Sequence, residues 1–78
     1  MVTAYILLQV SSEHDKVVWN ELTALPNVVE AAWIYGEFDT LLKVESPSLD
    51  ELDEFIFDEL RKIDGIKSTK TLLVSKMK

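Results

Sequence analysis

Nine residues near the start of the chain, Val2 to Val10, alternate without interruption. Val2, Ala4, Ile6, Leu8 and Val10 fall on one side, and Thr3, Tyr5, Leu7 and Gln9 on the other. A strand with one wholly apolar face must have that face covered by the rest of the fold. Its second face is mixed rather than polar, so it too is poorly suited to bare water. The chain must therefore build layers around this strand.

The signals that follow supply the layers. Ser11-Ser12 stops the strand, and Ser12 with Asp15 three residues on resembles an acidic capping box at a helix start. Val18, Leu22 and Leu25 recur at helical spacing with Trp19 beside them, and Pro26-Asn27 ends the helix. Val28 to Tyr35 is β-branched and aromatic and reads as a second strand, Gly36-Glu37-Phe38-Asp39 as a turn, and Thr40 to Glu45 as a third strand. Ser48 and Glu51 form an S-x-x-E capping box. Leu49, Leu52, Ile56, Leu60 and Ile63 then share a helical face, which Phe55 and Phe57 widen on either side. Asp64-Gly65 supplies a C-cap glycine, and Ile66 to Ser75 reads as the last strand.

The order is β-α-β-β-α-β, an α+β ferredoxin-like fold. It places two helices on one face of a four-stranded antiparallel sheet, with the first and third strands central. Seventy-eight residues leave room for this one domain, residues 1–78, and no linker-like stretch divides it. Strict alternation on the open face of the sheet gives Thr3, Tyr5, Leu7 and Gln9, then Lys67, Thr69, Thr71 and Leu73 on the last strand, with Trp33 assigned to the same surface. Such a face calls for a covering partner. Small domains commonly add disulfides, metals or self-association to a limited core. With no cysteine and one histidine in the sequence, self-association is the expected route.

Composition also excludes functions. A net charge of −6 opposes binding to a phosphate backbone, so no direct nucleic-acid partner is expected. The apolar runs are too short to span a bilayer and no signal-peptide pattern is present, so no membrane partner and a cytoplasmic setting are expected. No cofactor or metal is implied. The sole histidine, His14, sits between Glu13 and Asp15 at a helix start, which leaves no serine or threonine with a plausible His-Asp pair. An RNA-recognition module would need basic residues where Glu37 and Asp39 stand. An acylphosphatase would need an arginine after the first strand, yet the sole arginine is Arg61. A metal chaperone would need cysteines, and an ACT-type domain a different turn from Val10-Ser11-Ser12-Glu13.

The hairpin Ala32-Trp33-Ile34-Tyr35-Gly36-Glu37-Phe38-Asp39-Thr40-Leu41-Leu42-Lys43-Val44 resembles the signature of the Lrp/AsnC effector-binding domain, the RAM domain. Phe55-Ile56, Leu60, Ile63-Asp64-Gly65-Ile66 and the Thr-x-Thr at Thr69 and Thr71 extend the resemblance along essentially the whole chain. Asp64 departs from it, standing where many members have proline. The strand at Val2 also departs from it, where full-length members first carry a helix-turn-helix domain, so the chain resembles a stand-alone RAM module.

The resemblance implies a dimer formed by two sheets facing each other, as in a dimeric α+β barrel or sandwich, and higher assembly such as an octamer. It also implies an amino-acid effector held between dimers, a role in transcription regulation, no enzymatic activity, and room for mixed oligomers with full-length Lrp/AsnC regulators. The ligand-binding residues it points to are Tyr35, Gly36, Asp39, Thr69 and Thr71. Gly36 would let backbone amides approach a carboxylate, Asp39 would meet an ammonium group, and the two threonines would hydrogen-bond a polar ligand. Two alternatives remain: an enzyme of the dimeric α+β barrel type using Tyr5, Gln9 and Lys43, and a purely structural oligomerisation module.

Overall fold

The computed structural model describes all 78 residues, and its elements follow the expected order. Strand β1 (Val2–Val10) is followed by helix α1 (Asp15–Ala24), strands β2 (Val28–Trp33) and β3 (Thr40–Ser46), helix α2 (Leu49–Phe55) with a π-helical turn at Ile56–Leu60, and strand β4 (Ile66–Leu73). The sheet order is β2-β3-β1-β4, all antiparallel. β1 and β3 are central, and both helices lie on one face.

The core is the helix-facing side of the two central strands. Ala4, Ile6 and Leu8 of β1 and Leu42 and Val44 of β3 are fully buried, as are Val18 and Leu22 of α1, and Leu52, Phe55, Ile56 and Leu60 after β3 are buried with them. Each buried aliphatic side chain contributes about 1.5–3 kcal/mol relative to exposure, and alternate placement along β1 and β3 sums that gain on one face.

Several boundaries differ from the sequence reading. The first helix begins at Asp15 with His14 at its N-cap and no side-chain cap, because Ser11 to His14 form a turn of their own closed by His14 N–H donating to Ser11 O (3.0 Å). Ser12 therefore does not cap it. Ser48 does cap α2, its Oγ accepting from Glu51 N–H at 3.2 Å. Helical structure ends at Leu60 on the wide turn that Arg61 N–H makes to Ile56 O (3.0 Å), so Gly65 is not its C-cap. Leu49 and Phe57 are exposed rather than in the apolar stripe, and the Arg61 guanidinium lies 4.3 Å over the Phe57 ring. The outer strands are also shorter than their sequence patterns, ending at Trp33 and Leu73.

Two β-bulges change which side chains share a face. Between Val10↔Ile66 and Gln9↔Ser68, β4 uses two residues where β1 uses one, so Lys67 is the extra residue. From there the alternation is inverted. Ser68, Lys70 and Leu72 join Gln9, Leu7 and Tyr5 on the open face, and Thr69, Thr71 and Leu73 turn to the helix side. The sequence assignment of Thr69, Thr71 and Leu73 to the open face is thereby corrected. An equivalent bulge at Val29 places Val28, Ala31 and Trp33 on the helix side and Glu30 and Ala32 on the open face. Trp33 is therefore not part of the open face. Its ring stacks on Trp19 of α1, with centroids 5.0 Å apart and planes 20° from parallel.

Gly65 lies where the turn into β4 meets the start of α1. Its φ is +103°, and a Cβ there would stand 2.7 Å from His14 Cβ and 2.9 Å from Val18 Cγ2. Its carbonyl accepts from Ser11 N–H at 2.8 Å. Gly36 also has positive φ (+121°), but nothing lies within 4 Å of the position a Cβ would take. Backbone strain of about 1–3 kcal/mol applies to both positions, and a clash with the buried Val18 only to Gly65. In chemical denaturation Gly65→Ala is expected to lose clearly more stability than Gly36→Ala. Equal losses would show that α1 and the β4 turn are not tightly apposed.

Candidate functional site

The segment between β2 and β3, Ile34 to Asp39, is bonded to the C-terminal end of β1. Asp39 N–H donates to Leu8 O (2.8 Å), and Asp39 O accepts from Ile34 N–H (2.9 Å). Val10 N–H donates to Asp39 Oδ2 at 2.9 Å, and Gln9 Nε2 donates to Glu37 O at 2.8 Å. Gln9 Oε1 in turn accepts from Ser68 Oγ at 2.7 Å, which ties the same strand end to β4. Three consecutive β1 residues thus hold this loop. Asp39 is a structural acceptor as well as a surface carboxylate, which a reading of residues 36–39 as an ordinary turn does not anticipate.

Beside that loop is a cleft of about 380 Å³, within the roughly 300–1,000 Å³ range of small-molecule sites. Val10, Trp33, Ile34 and Tyr35 give it apolar walls. Ser12, Asp15 at the start of α1, and Asp39 supply its polar groups. Trp33 is half exposed and Tyr35 fully exposed, so both rings are available to a ligand.

The cleft brings together two of the five residues singled out in the sequence, Tyr35 and Asp39. Gly36 is next in the loop but does not line it, and its positive φ serves the bend of the chain. Thr69 and Thr71 are elsewhere, opposite Leu8 and Ile6 on the edge strand β4. Thr69 is half-buried and borders a smaller depression of about 260 Å³ near Arg61. Sequence reasoning missed Asp15 and Ser12 as cleft residues. Their place depends on where α1 starts, and the capping pattern set that point too early.

The model of the Lrp/AsnC ligand-binding domain matches residues 3–78. The chain belongs to this family. An uncharacterised HTH-type transcriptional regulator of Pyrococcus horikoshii is 34% identical over 77 residues, which cover 99% of this chain and 49% of that one. The chain thus spans about half the length of the curated regulators it matches most strongly. Among solved structures, a hypothetical protein of Pyrococcus horikoshii is 39% identical with a TM-score of 0.90, covering 99% of this chain and 93% of that one. Escherichia coli AsnC is 28% identical with a TM-score of 0.92, over 97% of this chain and 52% of that one. A transcriptional regulator of Neisseria meningitidis in complex with L-Met has the same fold (TM-score 0.90) at 19% identity. Outside the regulators, the domain is 36% identical over 66 residues to 14% of a homocitrate synthase of Sulfurisphaera tokodaii.

Replacing Asp39 with alanine would leave the part-buried Val10 amide without its acceptor. Such a loss costs about 1–3 kcal/mol, so Asp39→Ala is expected to destabilise the domain and speed amide exchange at Val10, whereas Asp39→Asn, which keeps an acceptor oxygen, retains most of both. Unchanged exchange at Val10 in Asp39→Ala would show that the bond contributes nothing.

Proposed function

We propose that this domain is a sensing and assembly module of Lrp/AsnC-type transcriptional regulation, taking an amino-acid effector at the cleft beside Tyr35 and Asp39. The family match over residues 3–78 carries this reading, and the cleft against the loop between β2 and β3 supports that choice of site. The L-Met complex of the Neisseria meningitidis regulator, at 19% identity, bears on the fold and illustrates one amino acid held by one protein that has it. Of the remaining sequence candidates, Gly36 shapes the loop. Thr69 and Thr71 reach a ligand only when a neighbouring copy presents them to it.

Two observations favour a binding module over an enzyme. The curated relatives with the strongest matches are regulators, and the match to homocitrate synthase covers 14% of that enzyme. The side chains on which an α+β barrel enzyme would depend also make thin catalytic material. Gln9 is committed to Glu37 and Ser68, and Tyr5 and Lys43 lie in one cross-strand row with Glu30.

Assembly follows from the open face. Tyr5, Leu7, Leu41 and Leu72 lie there with no helix over them. A second sheet packed about 10 Å away would remove them from water and complete the two-layer arrangement that one chain leaves unfinished. Dimers built in this way can associate further into an octamer or into mixed oligomers with full-length regulators. Two helices of this fold and a charge of −6 give these 78 residues no DNA-reading element, so DNA contact falls to whichever chain in the assembly carries a helix-turn-helix.

Light scattering at micromolar concentration is expected to give at least a dimer, and Leu7→Glu on the open face a folded monomer near 8.9 kDa. In thermal-shift measurements across the twenty amino acids, at least one should raise the melting temperature, since a ligand bound only by the native state stabilises it. A wild-type mass of 8.9 kDa throughout, with no amino acid shifting the transition, would overturn the proposal.

A further inference from the structure

The polar groups of the cleft are unbalanced. Asp15 and Asp39 both line it, and no lysine, arginine or histidine does. Asp39 accepts the Val10 amide through Oδ2, leaving Oδ1 for a donor from outside the chain. The apolar wall includes two aromatic rings. One of them, Trp33, is held by its stack on Trp19, so its position is set before any ligand arrives. A free α-carboxylate entering this space would meet like charge. A hydrocarbon shaft ending in an ammonium group would meet an apolar wall, aromatic faces and carboxylate acceptors.

We infer that the cleft selects a cationic ligand, an ammonium group on an apolar shaft such as a basic amino acid or an alkyl diamine, with Asp15 and Asp39 receiving the charge and Trp33 and Tyr35 flanking the shaft. This rests on the proposed ligand-binding role of the cleft and names the class of molecule it takes. Asp15 sets the charge preference. It stands in the first turn of α1, is exposed and bears on no core residue, whereas Asp39 divides its carboxylate between the ligand and the Val10 amide. The α-carboxylate of a basic amino acid would stay at the open mouth of the cleft. The protein's net charge of −6 adds a long-range attraction of the same sign.

Titration calorimetry on the wild-type protein with L-lysine, 1,5-diaminopentane, L-norleucine and L-glutamate tests the inference. Norleucine has the same carbon chain as lysine without the terminal ammonium. Lysine is expected to bind at least about tenfold more tightly than norleucine, and glutamate not at all, because a charge-assisted hydrogen bond contributes more than the apolar shaft alone can replace. Binding by the diamine would show that the ammonium group suffices. Failure of the diamine with retention of lysine would assign the ligand to the basic amino acids.

Asp15→Asn should lower lysine affinity about tenfold and leave the melting temperature of the free protein nearly unchanged. Asp50→Asn, an equal change in net charge outside the cleft, should leave affinity as in the wild type. Norleucine or glutamate binding as tightly as lysine, or lysine binding unaltered in Asp15→Asn, would overturn the charge selectivity while leaving the cleft a ligand site. Binding by none of the four compounds or of the other amino acids would overturn the ligand site itself.

Discussion

Strand β1 is the member on which the remainder depends. It is bonded along both edges, to β3 and to β4, and its inward residues Ala4, Ile6 and Leu8 are all fully buried. No other strand joins the β2-β3 hairpin to β4. The same strand also ends as a fastening: Leu8 O, Gln9 Nε2 and Val10 N–H each bond the loop between β2 and β3. One uninterrupted alternation therefore supplies the core, the sheet order and the anchor of the candidate site. A one-residue slip of β1 would exchange its faces and bury Tyr5 and Gln9 in place of Ile6 and Leu8, so its register is strongly defined.

That alternation made the fold legible. Element order and the cap at Ser48 follow from local signals, and the central strands and the placement of both helices on one side then follow from the handedness of the crossovers. The edge strands were less legible, for a definite physical reason. Each contains one extra residue, Val29 in β2 and Lys67 in β4, and a bulge breaks the period of two on which face assignments rest. That single insertion turns Thr69 and Thr71 to the face opposite the one strict alternation gives, and the bulge in β2 likewise turns Trp33 away from the open sheet to stack on α1. Neither bulge carries a glycine or proline that would mark it in the sequence.

The candidate site was legible to a similar, partial degree. Tyr35 and Asp39 stand out because a hairpin turn concentrates them, and they do share the cleft. Asp15 and Ser12 come to it from another element, through the position at which α1 begins. Local capping patterns fix that position only within a residue or two. The dual role of Asp39 was invisible for the same reason, since its partner amide belongs to a residue 29 positions away. A turn aspartate and a strand-tying aspartate look alike until the tertiary structure brings Val10 beside it.

The end of β1 also puts the two proposed activities within one set of bonds. Val10 and Asp39 border the cleft, while Gln9, between Leu8 and Val10, points to the open face and joins Glu37 of the loop to Ser68 of β4. A ligand in the cleft and a second sheet on the open face would thus each act on the same three-residue strand end from opposite sides. If the two events favour different positions of the loop, they are thermodynamically coupled, and the coupling must be reciprocal: an effector that strengthens assembly is itself bound more tightly by the assembled form. The proposed sensing would need no separate relay, because the sheet's central strand borders the cleft at its end and carries the open face along its length.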